Sequence, residues 1–129
     1  MDDTLEIVDK ILKELKPNRI LEIGTAVGYS AICFSEYLQE GGVIDTIERD
    51  TERAEDAKEN IKKVEVEDKI NIYEGDAVEI LPTLHAKYDM VFIDAAKGKY
   101  PCFITQALRM LNEKGIILGM FINFNQISS

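Results

Sequence analysis

Four acidic side chains, and a lysine that follows the last of them, are the residues of this chain best placed to do chemistry. Glu22, Glu48, Asp76 and Asp94 each lie at or just after the end of a segment predicted to be a strand. Because parallel strands bring their carboxyl ends to one edge of a sheet, we expect these four carboxylates along one ligand-binding edge. Each acid taken singly could also be a helix cap or a solvated turn residue. Together they suit a ligand with an amino group, ribose hydroxyls and an adenine base.

The first of these acids precedes a turn with the sequence Ile-Leu-Glu-Ile-Gly-Thr-Ala-Val-Gly-Tyr-Ser over residues 20–30. Gly24 lets the backbone turn tightly and approach a ligand, because it has no Cβ atom. The acceptor Glu22 suits a cationic or hydroxylated ligand and would repel a pyrophosphate. The dinucleotide pattern G-x-G-x-x-G and the phosphate loop G-x-x-x-x-G-K-[ST] are both absent. The turn therefore favours S-adenosylmethionine over NAD or ATP, although a purely structural strand-to-helix turn is the alternative.

We expect a different role for each of Glu48, Lys97 and Asp94. Glu48 lies about 20 residues after the turn, where an acid typically accepts hydrogen bonds from ribose hydroxyls. Lys97 could act as a general base toward a hydroxyl or could steer an anionic oxygen, and the alternative is an exposed loop lysine. Asp94 could contribute one hard oxygen ligand to a divalent cation, which needs further oxygen donors from elsewhere.

The elements that must position these residues alternate between strand and helix. Apolar runs predict strands at 19–23, 43–47, 70–73 and 88–93, with a fifth beginning at 116–118. Helical spacing predicts helices at 5–15, from Tyr29 to about residue 39, after Asp50, from about 77 to Pro82, and from Pro101 to Gly115. Five repeats of this alternation predict an α/β fold with a doubly wound parallel sheet.

Two of the predicted helices have an inner face that can be named residue by residue. In the helix after Asp50, the predicted inner residues are Ala54, Ala57, Ile61 and Val64. In the helix after Pro101, they are Phe103, Ile104, Ala107, Leu108 and Leu111.

Length and composition restrict the class of protein. The chain has 129 residues, a net charge of -9 and a sequence pI of about 4.6. This size suits one domain. The net negative charge argues against extensive, sequence-independent binding of nucleic acid. No apolar stretch reaches the roughly 20 residues that span a bilayer. The first residues lack the basic and apolar regions of a signal peptide, so we expect no membrane partner and a cytoplasmic location.

The cysteines and the single histidine give no metal-binding pattern. Cys33 and Cys102 are far apart and form no CxxC pair, so we expect two small buried apolar residues. His85 follows Pro82 in a predicted loop and has no nearby cysteine or histidine.

Four sequence stretches together resemble one family. The stretches ILEIGTAVGYSAI, TIERD, the GDA turn and FIDAAKGKY are similar to those of the cation-dependent, S-adenosylmethionine-dependent O-methyltransferases of the caffeoyl-CoA and catechol types. Some bacterial members act on small catechols or on hydroxyuridine in tRNA. The resemblance covers about residues 12–118. It implies a Rossmann-like sheet of the class I methyltransferase type and transfer of a methyl group to the metal-bound hydroxyl of a small acceptor.

The resemblance also implies a role for each matching residue. The residues implied to cradle the methionine portion of the cofactor are Glu22, Gly24 and Ser30, with backbone from Thr25 to Gly28. Those implied around the nucleoside are Glu48 at the ribose, Arg49 beside the adenine, and Asp76 and Ala77 flanking the adenine. Asp94 is implied to face both the cofactor and a Mg²⁺ or Mn²⁺ ion, and Lys97 is implied to be the catalytic lysine.

The chain departs from the family pattern near both ends. Met120 and Phe121 occupy the positions of an Asp-Asn pair that completes the family's metal site, so we expect weak binding of the cation and an impaired catalytic site. The last two strands of the family sheet and most helices before the first strand are not matched. Residues from about 119 to 129 look foreign to the family, as a truncation or frameshift would leave them.

The unmatched strands predict an open edge at strand five, and with it a homo-oligomer. Such an edge invites pairing with another chain, for example by exchange of residues 116–124. A monomer whose tail folds over the edge is the competing picture.

Several functions stay open on the sequence alone. The leading expectation is an O-methyltransferase domain that keeps its cofactor cleft and acts on a small hydroxylated acceptor. The alternatives are a non-catalytic cofactor-binding or assembly module, a tRNA hydroxyuridine methyltransferase working with a partner subunit, and an NAD-linked oxidoreductase. The missing G-x-G-x-x-G pattern argues against the last of these.

Overall fold

The computed structural model describes residues 3–94 and 100–120, with side chains placed over 6–93 and 103–119. Strands and helices alternate in the predicted order. The elements are α1 (Asp3–Leu15), β1 (Arg19–Ile23), α2 (Tyr29–Ser35), β2 (Val43–Glu48), α3 (Thr51–Lys63), β3 (Ile70–Glu74), α4 (Ala77–Ile80) with a 3₁₀ turn (Leu81–Thr83), β4 (Tyr88–Asp94), α5 (Tyr100–Met110) and β5 (Leu111–Met120).

The five strands form one parallel sheet in the order β3-β2-β1-β4-β5. The chain winds outward from β1 in one direction through β2 and β3, and in the other through β4 and β5. This confirms the doubly wound α/β prediction. In such sheets a ligand binds at the carboxyl ends of the strands, near the point where the order reverses. The register aligns Glu22 of β1 with Thr46 of β2 and Phe92 of β4, so side chains from neighbouring strands meet at that edge.

The three central strands, β1, β2 and β4, are buried on both faces, as their nearly continuous apolar runs indicate. One face packs Ile20, Ile44 and Met90 against Leu12 of α1, Phe34 of α2 and Ile61 of α3. The other face packs Leu21, Ile47, Val91 and Ile93 against Ala77 of α4, Leu81, and Phe103 and Ala107 of α5. Since side chains alternate along a strand, Glu22 shares the first face and Ile23 the second.

A cluster of polar side chains around the buried Asp45 connects four strands near the amino ends of the sheet. Asp45 has no exposed surface and accepts hydrogen bonds from Arg19 Nη2 at 3.0 Å, Asn71 Nδ2 at 2.9 Å and the Tyr88 hydroxyl at 2.6 Å. The guanidinium of Arg19 also lies 5.6 Å from the centroid of the Tyr88 ring. Burial, together with the hydrogen bond to Asp45, raises the pKa of Tyr88. This group lies at the end of the sheet opposite the candidate site and holds the strands in register.

Two predicted helix ends differ from the structure. The helix from Tyr29 ends at Ser35 instead of near residue 39, because its last turn tightens through bonds from the Glu36 and Tyr37 amides to carbonyls three residues earlier. The last helix ends at Met110 instead of Gly115, because Leu111 already aligns with Tyr88 of β4.

Gly115 is needed for a different reason from the predicted one. It lies in a register irregularity of β5, since Tyr88 and Met90 of β4 align with Leu111 and Ile116. A Cβ atom at Gly115 would lie 2.7 Å from Leu111 Cδ1. Glycine therefore permits a close approach inside the strand, and it does not end the helix.

Three predictions of burial are wrong. Val64 follows the last residue of α3 and is 51% exposed, since the helix ends before Val64 completes the inner face. Leu108 is 61% exposed, and Met110 takes the buried position on α5. Cys33 is exposed and carries a free thiol, because it lies on the outer side of α2. The side chain of Cys102 lies outside the described residues.

Within the described ranges, no helix combines the length and the apolar character that crossing a membrane requires.

Candidate functional site

A cleft opens at the carboxyl ends of β1, β2 and β3, on the face covered by α4 and α5. Its lining residues are Ile23, Gly24, Ile47, Glu48, Arg49, Gly75, Asp76, Ala77 and Phe103. Five of the sequence-predicted residues, Gly24, Glu48, Arg49, Asp76 and Ala77, are therefore brought together in one cavity.

Glu48, the last residue of β2, is held by the backbone on both sides. Its Oε1 atom accepts a hydrogen bond from the Ala26 amide at 2.7 Å, and its Oε2 atom accepts one from the Asp50 amide at 3.0 Å. The side chain is 2% exposed and borders the cleft. A carboxylate has about four acceptor positions, so two hydrogen bonds leave capacity for two more. The two amides thus fix the orientation of an acceptor that can serve a pair of neighbouring hydroxyl groups.

Glu22 lies behind the turn in a buried group of hydroxyl side chains. Its Oε1 atom accepts a hydrogen bond from Thr46 Oγ1 at 2.7 Å, and its Oε2 atom accepts one from Ser30 Oγ. The hydroxyl oxygens of Thr25 and Thr46 lie 2.5 Å apart. Because Thr46 has one hydroxyl hydrogen and gives it to Glu22, Thr25 is the donor in that pair. Glu22 has no exposed surface, and its carboxylate holds the start of α2 against β1 and β2.

The turn between β1 and α2 docks on the end of β2 through its own amides. The amides of Gly24 and Thr25 both donate to the Ile47 carbonyl, at 2.9 and 3.1 Å. Ala26, with φ +51°, has an unfavourable left-handed backbone for a residue with a side chain. Its amide thereby reaches Glu48.

Gly28 ends this turn where no larger residue fits. Its φ is +93°, and a Cβ atom there would lie 3.2 Å from Ala57 Cβ of α3. The family resemblance implies that the Gly28 backbone lies beside the cofactor. In the structure Gly28 lets α2 pack close to α3, and it lies outside the lining of the cleft.

Asp76 and Ala77 form the wall of the cleft opposite β1. Asp76 caps α4, with its Oδ1 atom accepting a hydrogen bond from the Val78 amide at 2.9 Å. Ala77 is buried directly behind it, and Arg49 is exposed at the mouth. Asp76 is thus both a helix cap and a carboxylate at the rim of the cavity, so the two readings of this residue are compatible.

The structure describes only part of the predicted catalytic pair, Asp94 and Lys97. The backbone of Asp94 ends β4, which pairs with β1 and β5, but its side chain lies outside the described residues, as do Lys97, the Met120 side chain and Phe121. Among the side chains that are described, no group of three or more His, Cys, Asp or Glu residues could hold a metal ion.

Five residues of the site were not predicted from the sequence. Four of them line the cleft, namely Ile23, Ile47, Gly75 and Phe103, and the fifth is Thr46 beneath the turn. Thr46 bridges Thr25 and Glu22, and the signal for it was a hydroxyl residue within an apolar strand at the register position of Glu22. Phe103 was assigned to the core alone, yet it also lines the cleft. Its apolar helical spacing could not distinguish these roles, because the cleft is visible only once α5 is placed over the sheet.

Comparisons with known proteins agree with this architecture. The family model described as O-methyltransferase matches residues 3–123. The catechol O-methyltransferase of Niastella koreensis is 38% identical over 104 residues, which are 78% of this chain and 47% of that protein. The caffeoyl-CoA O-methyltransferase of Populus kitakamiensis is 32% identical over 120 residues, which are 89% of this chain and 51% of that protein.

A solved structure gives the same result in three dimensions. The crystal structure of the O-methyltransferase TomG from Streptomyces achromogenes in complex with S-adenosylmethionine superposes with a TM-score of 0.84 at 32% identity. The superposition covers 92% of this chain and 55% of that one. This chain therefore spans about half the length of the relatives it matches. The match of the family model over nearly the whole chain and the shared fold show that the chain belongs to the O-methyltransferase family.

Proposed function

We propose that this chain is the cofactor-binding domain of an S-adenosylmethionine-dependent O-methyltransferase that acts on a hydroxyl group of a small acceptor. The observation that carries the proposal is the oriented Glu48 carboxylate at the edge of a cleft at the carboxyl ends of the strands. When bound, S-adenosylmethionine supplies a methyl group on a sulfonium cation. We also propose that residues 1–129 form a single methyltransferase domain.

The described residues fit the nucleoside of this cofactor. Glu48 offers acceptor positions to the two ribose hydroxyls, and Asp76 places a second carboxylate at the rim where an exocyclic amino group could donate. The apolar residues of the cleft, Ile47, Ala77 and Phe103, suit a flat purine base. A pyrophosphate would be repelled by both carboxylates. The cleft thus supports a nucleoside ligand in preference to a dinucleotide.

The turn from Gly24 to Ser30 would accommodate the amino-acid portion of the cofactor. Glu22 and Ser30 hold each other at the base of this turn, and Thr25 and Thr46 extend that buried group. In this role Glu22 adds negative charge beneath the ligand, while the Gly24 backbone comes close to it. The turn would thereby position the sulfonium end and keep it oriented toward Asp94 at the end of β4.

Asp94 and Lys97 complete the proposal for catalysis. Lys97 would take the proton from the acceptor hydroxyl, and Asp94 would face the cofactor and, in the family pattern, a divalent cation. Met120 and Phe121 provide no side-chain oxygen where the resemblance implies an Asp-Asn pair. We therefore propose that Mg²⁺ and Mn²⁺ bind weakly to this chain and that turnover is impaired.

Methyl transfer to a small acceptor is the function best supported among the alternatives. The relatives described above are named catechol and caffeoyl-CoA O-methyltransferases, which favours a small hydroxylated acceptor over an oxidoreductase substrate. The net charge of -9 gives tRNA no broad basic surface. The alternative of a non-catalytic cofactor-binding module predicts the same cofactor binding, and it differs from the proposed function only in that no methyl group is transferred.

Calorimetry with S-adenosylhomocysteine tests the proposal directly. We expect binding to the chain, and we expect addition of Mg²⁺ to change the affinity by less than about threefold, because the metal ligands are incomplete. A parallel titration with NAD should show no binding. Failure of S-adenosylhomocysteine to bind would contradict the proposed function. A strong Mg²⁺ dependence would show that another donor replaces the missing pair.

The outer edge of β5 is proposed as a contact between two copies of the chain. Among the described residues, β5 pairs only with β4, so its other side offers unpaired amides and carbonyls. Exposed apolar residues occur on the helices of both faces, with Leu108 on α5 and Ile7 on α1, 61% and 56% exposed. A two-fold axis perpendicular to the sheet would pair the two β5 strands antiparallel and bring like helices together on each face.

Charge at these exposed positions should prevent the association. We expect the double variant Ile7→Lys, Leu108→Lys to sediment as a monomer at concentrations where the unmodified chain forms dimers, because two lysines in each copy would face their equivalents. Val64→Lys is the matched control, since Val64 is also half exposed and lies at the end of α3. If the unmodified chain sediments as a monomer in sedimentation velocity, the proposed contact is contradicted. That result would favour the alternative in which the tail of the chain folds over the edge of β5.

A further inference from the structure

Asn60, in the last turn of α3, connects this helix to the turn between β1 and α2. Its Nδ2 atom donates a hydrogen bond to the Val27 carbonyl at 2.9 Å, and the side chain is partly buried. Asn60 lies outside the lining of the cleft. A change at this residue would therefore reach a ligand in the cleft only through the backbone of the turn.

The same stretch of chain holds the turn at other points. Ala57, one helical turn before Asn60, is fully buried and packs against Gly28. The helix begins two residues after β2, and the end of β2 accepts three amides of the turn, two at the Ile47 carbonyl and one at the Glu48 carboxylate. Residues 47–60 thus contact the turn along most of its length.

The turn depends on this support because its backbone is unfavourable at Ala26. The φ of Ala26 is +51°, in the left-handed region that a residue with a Cβ atom rarely adopts. The Ala26 side chain is exposed, so its own packing offsets little of the cost. The hydrogen bonds on either side of the strained residue do offset it, from the Ala26 amide to Glu48 and from Asn60 to the Val27 carbonyl.

We infer that Asn60 is a positioning residue for the amino-acid portion of S-adenosylmethionine, which it serves by holding the turn in its strained conformation. The inference rests on the proposed function, which assigns the amino-acid portion to this turn and the nucleoside to the Glu48 side of the cleft. It predicts a selective effect. Loss of the Asn60 hydrogen bond weakens ligands that carry the amino acid, and it has little effect on ligands that lack it.

Asn60→Ala tests the selective effect by calorimetry. Alanine is a better helix former than asparagine, so α3 should still form. Loss of one neutral hydrogen bond should weaken S-adenosylhomocysteine about fivefold, which corresponds to about 1 kcal/mol. By contrast, 5′-methylthioadenosine has the nucleoside and the sulfur but no amino acid. Its affinity should stay within about twofold of that for the unmodified chain.

Two further variants accompany this test. Asn60→Asp keeps the size and shape of the side chain but has no N–H donor, so it should weaken S-adenosylhomocysteine at least as much. Glu59→Ala is the matched control, because Glu59 is the neighbouring residue on the exposed side of the same helix. It should alter the affinity for neither ligand.

Ala26→Gly tests whether Asn60 acts through the backbone of the turn. Glycine adopts a positive φ about as readily as a negative one, so this change relieves the strain. In the Ala26→Gly background, Asn60→Ala should weaken S-adenosylhomocysteine by less than about twofold, because the two changes are coupled. An undiminished fivefold loss in this background would overturn the inference that Asn60 acts by holding the strained turn.

The remaining outcomes separate the inference from the proposed function. If the unmodified chain binds no S-adenosylhomocysteine, the proposed function fails and this inference falls with it. If the unmodified chain binds it and Asn60→Ala binds it equally well, only the inference is overturned, whether or not the melting temperature falls. Equal weakening of 5′-methylthioadenosine would also overturn it, because the effect would then be a general distortion of the cleft.

Discussion

Glu48→Ala is expected to weaken binding of S-adenosylhomocysteine about 100-fold. Each hydrogen bond to a charged acceptor contributes about 1.5–3 kcal/mol, and 1.4 kcal/mol corresponds to a tenfold change in affinity. The variant would lose the proposed acceptor for both ribose hydroxyls, and it also frees the Ala26 and Asp50 amides that Glu48 now holds. The turn that approaches the ligand should therefore become less well ordered as well.

Glu48→Gln separates these two effects. Glutamine keeps one acceptor oxygen, so it can still hold one of the two amides, and we expect an intermediate loss of about tenfold. Glu74→Ala is the matched control, because Glu74 ends the neighbouring strand in register with Glu48 but lies outside the lining of the cleft. In calorimetry, the Glu74→Ala variant and the unmodified chain should bind S-adenosylhomocysteine with affinities that agree within about twofold. Unchanged binding by Glu48→Ala would show that the ribose lies elsewhere.

Asp45→Ala is expected to lower the free energy of unfolding by about 3–5 kcal/mol. Removing one partner of a buried charged group leaves the others without an acceptor, and such changes typically cost this amount. Here three donors, Arg19 Nη2, Asn71 Nδ2 and the Tyr88 hydroxyl, lose the same carboxylate. Arg19 is partly exposed and can recover some solvation, which places the expected value nearer the lower end.

Urea unfolding followed by circular dichroism measures this effect. Domains of this size are stable by about 5–15 kcal/mol, so the loss should move the midpoint strongly. Glu59→Ala is the comparison, since the Glu59–Lys63 pair at 3.8 Å is about two-thirds exposed at both residues and should contribute less than about 1 kcal/mol. A cost for Asp45→Ala as small as that of the control would mean that the four strands do not depend on this carboxylate for their register.

The two variants act at opposite ends of one sheet, and they should have separable results. Glu48 lies at the carboxyl end of β2, and Asp45 lies three residues earlier, on the other face of the same strand. Because strand side chains alternate, this short separation reverses the direction of the side chain. The change at Asp45 should reduce stability with little change in affinity at temperatures where the protein stays folded.

The sequence determined the element order and the edge of the sheet where the acids lie. Apolar runs that end in an acid place Glu22, Glu48 and Asp94 at the same ends of their strands in any parallel arrangement, because all strands run in one direction. The start of α3 at Thr51 followed from Asp50, whose side chain accepts a hydrogen bond from the Arg53 amide at 2.9 Å. These features depend on neighbours in the sequence, which is why local patterns were sufficient to predict them.

Only the tertiary structure decided which acids face the cleft and which are enclosed. Glu22 and Glu48 had similar positions in the sequence, yet Glu22 is surrounded by hydroxyl groups from β2 and α2, and Glu48 borders the cavity. The strand order brings Thr46 beside Glu22, and the placement of α5 brings Phe103 to the cleft. Such contacts join residues far apart in the chain, so they depend on how elements pack. The periodicity of one segment carries no information about its packing partner, and for that reason the sequence alone could not assign these contacts.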